Sequence, residues 1–228
     1  MFIGSKAVKA ALAALVLAAC VPAAEDPAQE ARQISGTVKG WPFAAAAVVA
    51  SLEMPPTGSG NPAPASQQRT PVAQGSISAE GQVDLLLPEA LPADLLGDIE
   101  THLGGEAGCA AVTPGETLFS SLLADLAVEQ EGEALATLLH SAAAESGETF
   151  IKRIYATRDA SASGECLSPE TSPVAAWDLD LDLRAGWNIV LATYSESAKG
   201  SLQVKLTTGT VPGDAEWQFV PADAQATR

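Results

Sequence analysis

The sequence predicts a mainly β protein, an antiparallel β-sandwich with one short helix, that follows a cleaved N-terminal segment. Residues 177–183, which read WDLDLDL, alternate strictly between polar and apolar side chains, the period of a half-buried strand. Turn residues such as Glu80-Gly81 and Ala185-Gly186 separate segments of this kind. Hairpins repeated along a chain are typical of antiparallel sheets that keep one face in water.

The first part of the chain predicts two strands, a long loop and a hairpin. Residues 34–40 alternate in polarity, and residues 44–52 form an apolar run that we interpret as a second strand. Residues 54–71 are dense in Pro, Gly, Ser and Asn, which indicates a loop. Residues 74–79 and 82–87 flank Glu80-Gly81 and predict the hairpin.

Residues 92–103 predict the short helix. Apolar side chains at Leu95, Leu96, Ile99 and Leu103 have helical spacing, and Pro92 stands at a tolerated first-turn position. The glycine pair that follows would end the helix.

Residues 118–140 are open to two interpretations. The leucines at 118, 122, 123 and 126 have helical spacing, whereas residues 126–128 and 135–139 alternate with polar neighbours around Glu131-Gly132. We favour a β-hairpin over two helices. Further strands are predicted at 149–157, 177–183, 187–194, 201–206 and 216–220. A turn at Ala185-Gly186 is predicted to join the strands at 177–183 and 187–194 as a hairpin.

The N-terminal residues predict export. Lys6 and Lys9 precede an apolar run over residues 10–19, which is too short to cross a bilayer and has the size of a signal-peptide core. Leu17-Ala18-Ala19-Cys20 resembles a bacterial lipobox, and this resemblance implies cleavage before Cys20 and attachment of lipid to it. The alternative is an ordinary secretory signal with an incidental cysteine.

These observations predict the domain organisation and the location of the protein. We expect a signal peptide over residues 1–19, a lipidated Cys20 with a flexible tether over 20–33, a sandwich over 34–220, and a flexible tail over 221–228. The sandwich is either one unit or two subdomains, at 34–90 and 117–220. Val21, where an Asp would resemble an inner-membrane retention signal, favours the outer membrane of an organism that has one.

The charge balance excludes nucleic acid as a partner. The chain has 12 Lys and Arg against 28 Asp and Glu, a net charge of -16. Removal of Lys6 and Lys9 with the signal peptide would make the remainder still more acidic. A body of this charge is repelled by phosphate backbones and by anionic lipid head groups.

Two parts of the chain resemble known groups of proteins. Gly36-Thr37-Val38, the run over 45–52 and the turn over 79–85 resemble a carboxypeptidase-regulatory-like or transthyretin-like β-sandwich module, which implies a non-catalytic domain. Residues 155–166, Gly186-Trp187-Asn188 and Trp217 resemble uncharacterised bacterial envelope lipoproteins, a resemblance that implies no activity.

No catalytic constellation is visible in the sequence. There is no Gly-x-Ser-x-Gly elbow and no phosphate-binding glycine loop, and we interpret His102 and His140 as surface or capping residues. Cys109 and Cys166 form an even pair once Cys20 is lipidated, and we predict a disulfide between them rather than two free thiols. No cofactor and no enzymatic activity are expected.

Two sets of residues are candidates for ligand contacts. Three carboxylates share one face of the strand at 177–183 and are weak candidates for a calcium site, although a solvated strand face is favoured: Asp178, Asp180 and Asp182. Four tryptophans could stack on a carbohydrate, although core packing is favoured: Trp41, Trp177, Trp187 and Trp217.

The sequence therefore predicts a non-catalytic, lipid-anchored cell-envelope protein with a structural or protein-interaction role. Its expected partners are the membrane, reached through the N-terminal lipid, and an envelope protein. A carbohydrate or small-ligand binding module is the alternative, and a hydrolase built from dispersed carboxylates is a third possibility.

Overall fold

The computed structural model describes residues 27–53, 69–97, 119–120, 123, 125–144, 147–167, 174–196 and 200–222. One helix and four strands come first, followed by a single 3-10 turn at Ala93–Leu95: α1 (Pro27–Arg32), β1 (Gln33–Thr37), β2 (Ala46–Glu53), β3 (Arg69–Ile77) and β4 (Gln82–Leu86). Eight further strands follow: β5 (Leu126–Gln130), β6 (Glu133–Ala144), β7 (Gly147–Ala156), β8 (Ala160–Leu167), β9 (Val174–Leu183), β10 (Gly186–Glu196), β11 (Leu202–Thr208) and β12 (Glu216–Pro221).

The strands confirm the predicted mainly β class. All twelve belong to one sheet, in the order β1-β4-β3-β2-β5-β6-β7-β10-β11-β9-β8, with β12 paired to β6 off this path. Since the pairing joins every strand in one sheet, the two separate sheets of a sandwich are not confirmed.

Seven of these strands form a closed ring. The path β1-β4-β3-β2-β5-β6 continues to β12, and a parallel bridge between Val38 and Trp217 returns it to the end of β1. Alternate residues of each strand point into the ring, as the two-residue period requires. On β2 these are Val48, Ala50 and Leu52, which are all fully buried. The ring therefore encloses the first hydrophobic core.

The remaining strands form a second roll, in the order β7-β10-β11-β9-β8. Only residues 157–159 connect β7 to β8, although these strands lie at opposite ends of that path. From the last residue of β7 to the first of β8 the chain spans at most about 14 Å, so the five strands must curl until their ends are close together. The second core lies on the inner face of this roll and includes Leu179, Leu181, Leu183 and Val190.

Strands β6 and β7 join the ring to the roll. They pair with each other only next to their connection, over residues 141–144 and 147–150. Beyond that point β6 and β7 no longer pair with each other and have separate partners. Phe119 and Leu123 bridge to β7, whereas β5 pairs with residues 133–138 of β6. A single connected sheet thus serves two cores.

β10 contributes to both cores. Trp187 and Ile189 belong to the first core and Val190 and Ala192 to the second, so both faces of the strand are covered. A strand buried on both faces carries a nearly continuous apolar run, and the sequence of β10 begins GWNIVLA.

Several predicted strand pairs are confirmed and one is wrong. β3 and β4 form the expected hairpin, and β5 and β6 form the hairpin favoured over helices, with positive φ angles of 55° and 85° at Glu131 and Gly132. The chain does not return from β9 to β10 as a hairpin. β11 lies between them and runs parallel to β9, so the sheet is not wholly antiparallel.

The helix predicted over residues 92–103 does not form in the described part of that segment. Within residues 92–97 only one 3-10 turn forms, and Leu96 is already extended, with φ −116° and ψ 144°, because Gly97 bridges to Phe119. Residues 98–103 lie outside the described residues. Within the described residues the α-helix is α1, which lies in the segment interpreted as a tether, and its Ala31 is buried in the first core.

We predict that Gly36→Ala destabilises the protein by at least about 2 kcal/mol, because an added methyl group would overpack a close contact. A Cβ at Gly36 would lie 2.7 Å from the Trp217 ring, and the φ of 141° is one that other residues rarely adopt. Urea denaturation measures the effect. Gly213→Ala is the control, since its added methyl group would meet no atom within 4 Å. Equal stability of the two variants would contradict the prediction.

Candidate functional site

The four candidate tryptophans lie in different environments. Trp187 and Trp217 are buried, with 2% and 6% of their surface exposed. Each ring nitrogen donates a hydrogen bond to a backbone carbonyl, Trp187 to Pro88 at 2.7 Å and Trp217 to Ser35 at 3.1 Å. Trp41 and Trp177 are half-buried. The four rings therefore do not form one stacking platform for a sugar.

Trp41 belongs to a group of three half-buried rings, which we call the aromatic end cluster: Trp41, Phe43 and Phe219. The Trp41 ring centroid lies 5.0 Å from that of Phe43 and 5.9 Å from that of Phe219, both in edge-to-face geometry. Phe219 shares a face of β12 with Trp217, and all three rings pack against the first core. The cluster therefore covers one end of the ring of strands while leaving part of each ring in contact with water.

The histidine predicted to lie at the surface is buried. His140, with 8% of its surface exposed, stacks on Trp217 with ring centroids 4.3 Å apart and planes 10° from parallel. Its Nδ1 has no hydrogen-bond partner. Burial, helped by the nearby positive charge of Arg153, lowers the pKa of His140 to about 4. The imidazole is therefore neutral at pH 7 and serves as a core aromatic.

Arg153 is a buried cation that holds α1 on the sheet. Its Nε donates a hydrogen bond to the carbonyl of Ala31 at 2.9 Å, and Nη2 reaches the carbonyl of Gln33 at 3.5 Å. Burial lowers the pKa of Arg153 to about 10, against the opposing effect of Glu30. The guanidinium remains charged at pH 7. The partial negative charge of the carbonyl groups at the C-terminal end of the helix stabilises it.

A cleft of about 420 Å³ lies where α1 meets the turn after β9, the turn before β8 and the end of β11. We call it the α1 cleft. Its lining includes four charged residues and one tryptophan: Glu30, Asp159, Asp182, Arg184 and Trp187. Two candidates from the sequence, Asp182 and Trp187, thus meet in one cavity.

Hydrogen bonds fix the wall of this cleft. The Asn188 amide accepts from the backbone N–H of Arg184 at 2.9 Å and donates to the carbonyls of Arg184 and Gly186. The Asp159 carboxylate accepts from the backbone N–H of Ala185 at 2.8 Å. The turn that carries Arg184 is therefore held in place before any ligand arrives. The sequence predicted a turn here from Ala185-Gly186 but did not identify Arg184 or Asp159.

The three aspartates of β9 lie on its exposed face. Asp178, Asp180 and Asp182 alternate with the buried leucines of the second core. Asp178 reaches Lys205 at 4.0 Å, and only Asp182 borders the α1 cleft. In the described part of the chain, no group of three or more His, Cys, Asp or Glu residues is arranged to hold a metal ion.

The cysteines are only partly described. Cys166 is buried with 2% of its surface exposed and is disulfide-bonded. Cys109 and Cys20 lie outside the described residues, as does His102, so the pairing of Cys109 with Cys166 stays a prediction.

Comparison with protein families, with curated proteins and with solved structures found no match for this chain. Among the described residues, none of the helices has both the length and the apolar character required to span a bilayer.

We predict that wild-type protein loses stability as the pH falls from 6.5 towards 4, and that His140→Phe reduces this loss. The pKa of His140 is lowered from an ordinary 6.5 to about 4 by folding, so in this interval the unfolded chain binds more protons. Above pH 6.5 this loss is absent, and at pH 4.5 the free energy of unfolding is lower by roughly 2.5 kcal/mol.

Urea denaturation at pH 7.0, 5.5 and 4.5 measures this effect. Phenylalanine keeps an aromatic ring on Trp217 and cannot be protonated, so the curve of the variant should be flatter than that of wild type. Parallel curves for the two proteins would show that His140 does not control stability in this range.

Proposed function

We propose that this chain is a non-catalytic, lipid-anchored protein of the cell envelope that acts by binding another protein. The lipobox-like sequence supports the anchor, and the aromatic end cluster is the observation that carries the binding role. Tryptophan and other aromatic side chains supply much of the energy of protein interfaces when they are partly exposed and held rigidly. Trp41, Phe43 and Phe219 have these properties because their edge-to-face contacts fix their orientation.

Charge near the cluster supports a protein partner with a basic rim. Lys39 and Glu216 form an exposed ion pair beside the bridge between Val38 and Trp217, and Asp214 lies exposed in the turn that leads into β12. The chain as a whole has a net charge of -16. A complementary partner would bring positive charge to this rim, which mainly accelerates association.

The structure also supports a short distance between anchor and body. Cys20 precedes the first residue of α1 by seven positions, a span of at most about 25 Å when extended. Arg153 fixes α1 to β7, so the segment between lipid and body is shorter than the tether predicted over residues 20–33. We place the protein at the envelope membrane, in the outer membrane where the organism has one.

Small-ligand binding is the second candidate function, and the α1 cleft favours it. A pocket of this size is typical of small-molecule sites, and its polar groups converge from several elements. Stacking of a carbohydrate on tryptophan is less well supported, because Trp187 and Trp217 are buried.

We predict that Cys20→Ser releases the protein from the membrane fraction. Without the thiol there is no lipid attachment, and stable anchoring requires acyl chains. Fractionation of cells that express each form, with mass spectrometry of the mature N-terminus, measures the change. Retention of the Cys20→Ser protein in the membrane fraction, or wild-type protein without acyl groups, would contradict lipid anchoring.

We predict that Trp41→Ala and Phe43→Ser each reduce capture of the principal partner by more than tenfold, as expected for central interface aromatics. The measurement is cross-linking in native membranes, with recovered proteins quantified by mass spectrometry. Phe150→Ala is the matched control, because Phe150 is also half-buried and edge-to-face with Tyr194, at 5.3 Å, but lies outside the cluster.

Thermal unfolding of each variant separates loss of binding from loss of folding. Recovery of the same partner by folded Trp41→Ala, Phe43→Ser and wild-type protein would remove the cluster from the interface.

A further inference from the structure

The α1 cleft presents both signs of charge. Glu30, Asp159 and Asp182 contribute carboxylates, and Arg184 contributes the opposing cation. Carboxylates favour an ammonium group, whereas a guanidinium favours a carboxylate or a phosphate.

The charges of Asp182 and Arg184 are not used by the fold. Both side chains are exposed, and neither makes an ion pair or a side-chain hydrogen bond with another described residue. Their hydrogen bonds are made by the backbone: the N–H of Asp182 donates to the Thr208 hydroxyl, and the N–H and carbonyl of Arg184 both bond to the Asn188 amide. The two charged groups therefore border one cavity and are available to a ligand.

The neighbouring polar groups are already oriented. Asp159 uses one carboxylate oxygen to hold the backbone of Ala185, which leaves the other oxygen as an acceptor. The Thr208 hydroxyl accepts from Asp182 and retains its own hydrogen as a donor. A site of this kind requires little rearrangement on binding, which reduces the free-energy cost of association.

We propose that the α1 cleft binds a small zwitterion that carries an ammonium group and an anionic group. The ammonium lies between Glu30 and Asp182, and the anionic group lies against Arg184 and the Thr208 hydroxyl. This inference deepens the small-ligand function proposed above and does not depend on the aromatic end cluster. A free small molecule and the head group of a zwitterionic lipid share this chemistry.

The position of α1 makes a lipid head group a reachable source. α1 forms one wall of the cleft through Glu30 and begins within about 25 Å of Cys20. In a lipid-anchored protein, the cleft would then lie close to the bilayer surface.

The test uses soluble Cys20→Ser protein and O-phosphoethanolamine, with binding followed by NMR chemical-shift changes and calorimetry. We expect a dissociation constant of about 1 mM or below, as befits an open cleft and a small ligand. Asp182→Asn and Arg184→Gln should each weaken binding at least fivefold. Asp180→Asn is the matched control, because Asp180 is exposed on the same face of β9 but does not line the cleft.

Ethanolamine alone and inorganic phosphate alone should each bind more weakly than O-phosphoethanolamine. Absence of saturable binding by folded wild-type protein would overturn the proposal. So would equal affinity for ethanolamine, or an equal loss in the Asp180→Asn control. Since none of these measurements involves a protein partner, their failure would leave the interaction role unaffected.

Vesicles distinguish the two sources of the zwitterion. Flotation of the soluble protein with phosphatidylethanolamine vesicles, lost in Arg184→Gln, would assign the site to a lipid head group. Binding of O-phosphoethanolamine without flotation would assign it to a free small molecule. Both results support the zwitterion site.

Discussion

The contact between Trp217 and the backbone of β1 closes the first half of this molecule. Only Gly36 allows the ring to lie so close, and the ring nitrogen bonds to the carbonyl of Ser35. On its other face the indole stacks on His140, so a single side chain joins β1, β6 and β12. A ring of strands has no open edge where it closes, and this contact provides that closure.

Among the described residues, two neighbouring cations of β7 are buried, and the first of them, Lys152, pairs with Asp125 at 3.5 Å. Burial of the Arg153 cation carries a desolvation cost. Hydrogen bonds to the backbone carbonyls at the end of α1 offset part of this cost. The same contact carries Glu30 to the edge of the α1 cleft. The interaction that attaches the helix therefore also shapes the cavity. Burial, with a smaller effect from the charge of Arg153, lowers the pKa of His140.

The positions of most strands could be predicted from the sequence, whereas the pairing of one strand with another in the sheet could not. The two-residue period located β9 and identified Leu179, Leu181 and Leu183 as its core face. It contains no information on which strand lies alongside, so the insertion of β11 between β9 and β10 was missed. α1 was missed because six residues have too little periodicity, and its stability comes from Arg153, which is distant in sequence. Asp182 and Trp187 were found as single candidates, but only the fold places them around one cavity.

The closure of the ring by β1 and β12 also constrains the order of folding. These strands are separated by nearly the whole described chain, so their pairing carries a large loop-closure entropy and must follow the local hairpins. Until β12 docks, one edge of β6 and the end of β1 stay unpaired, and such edges recruit other chains. The protein therefore gains the protection of these edges only once β12 has docked.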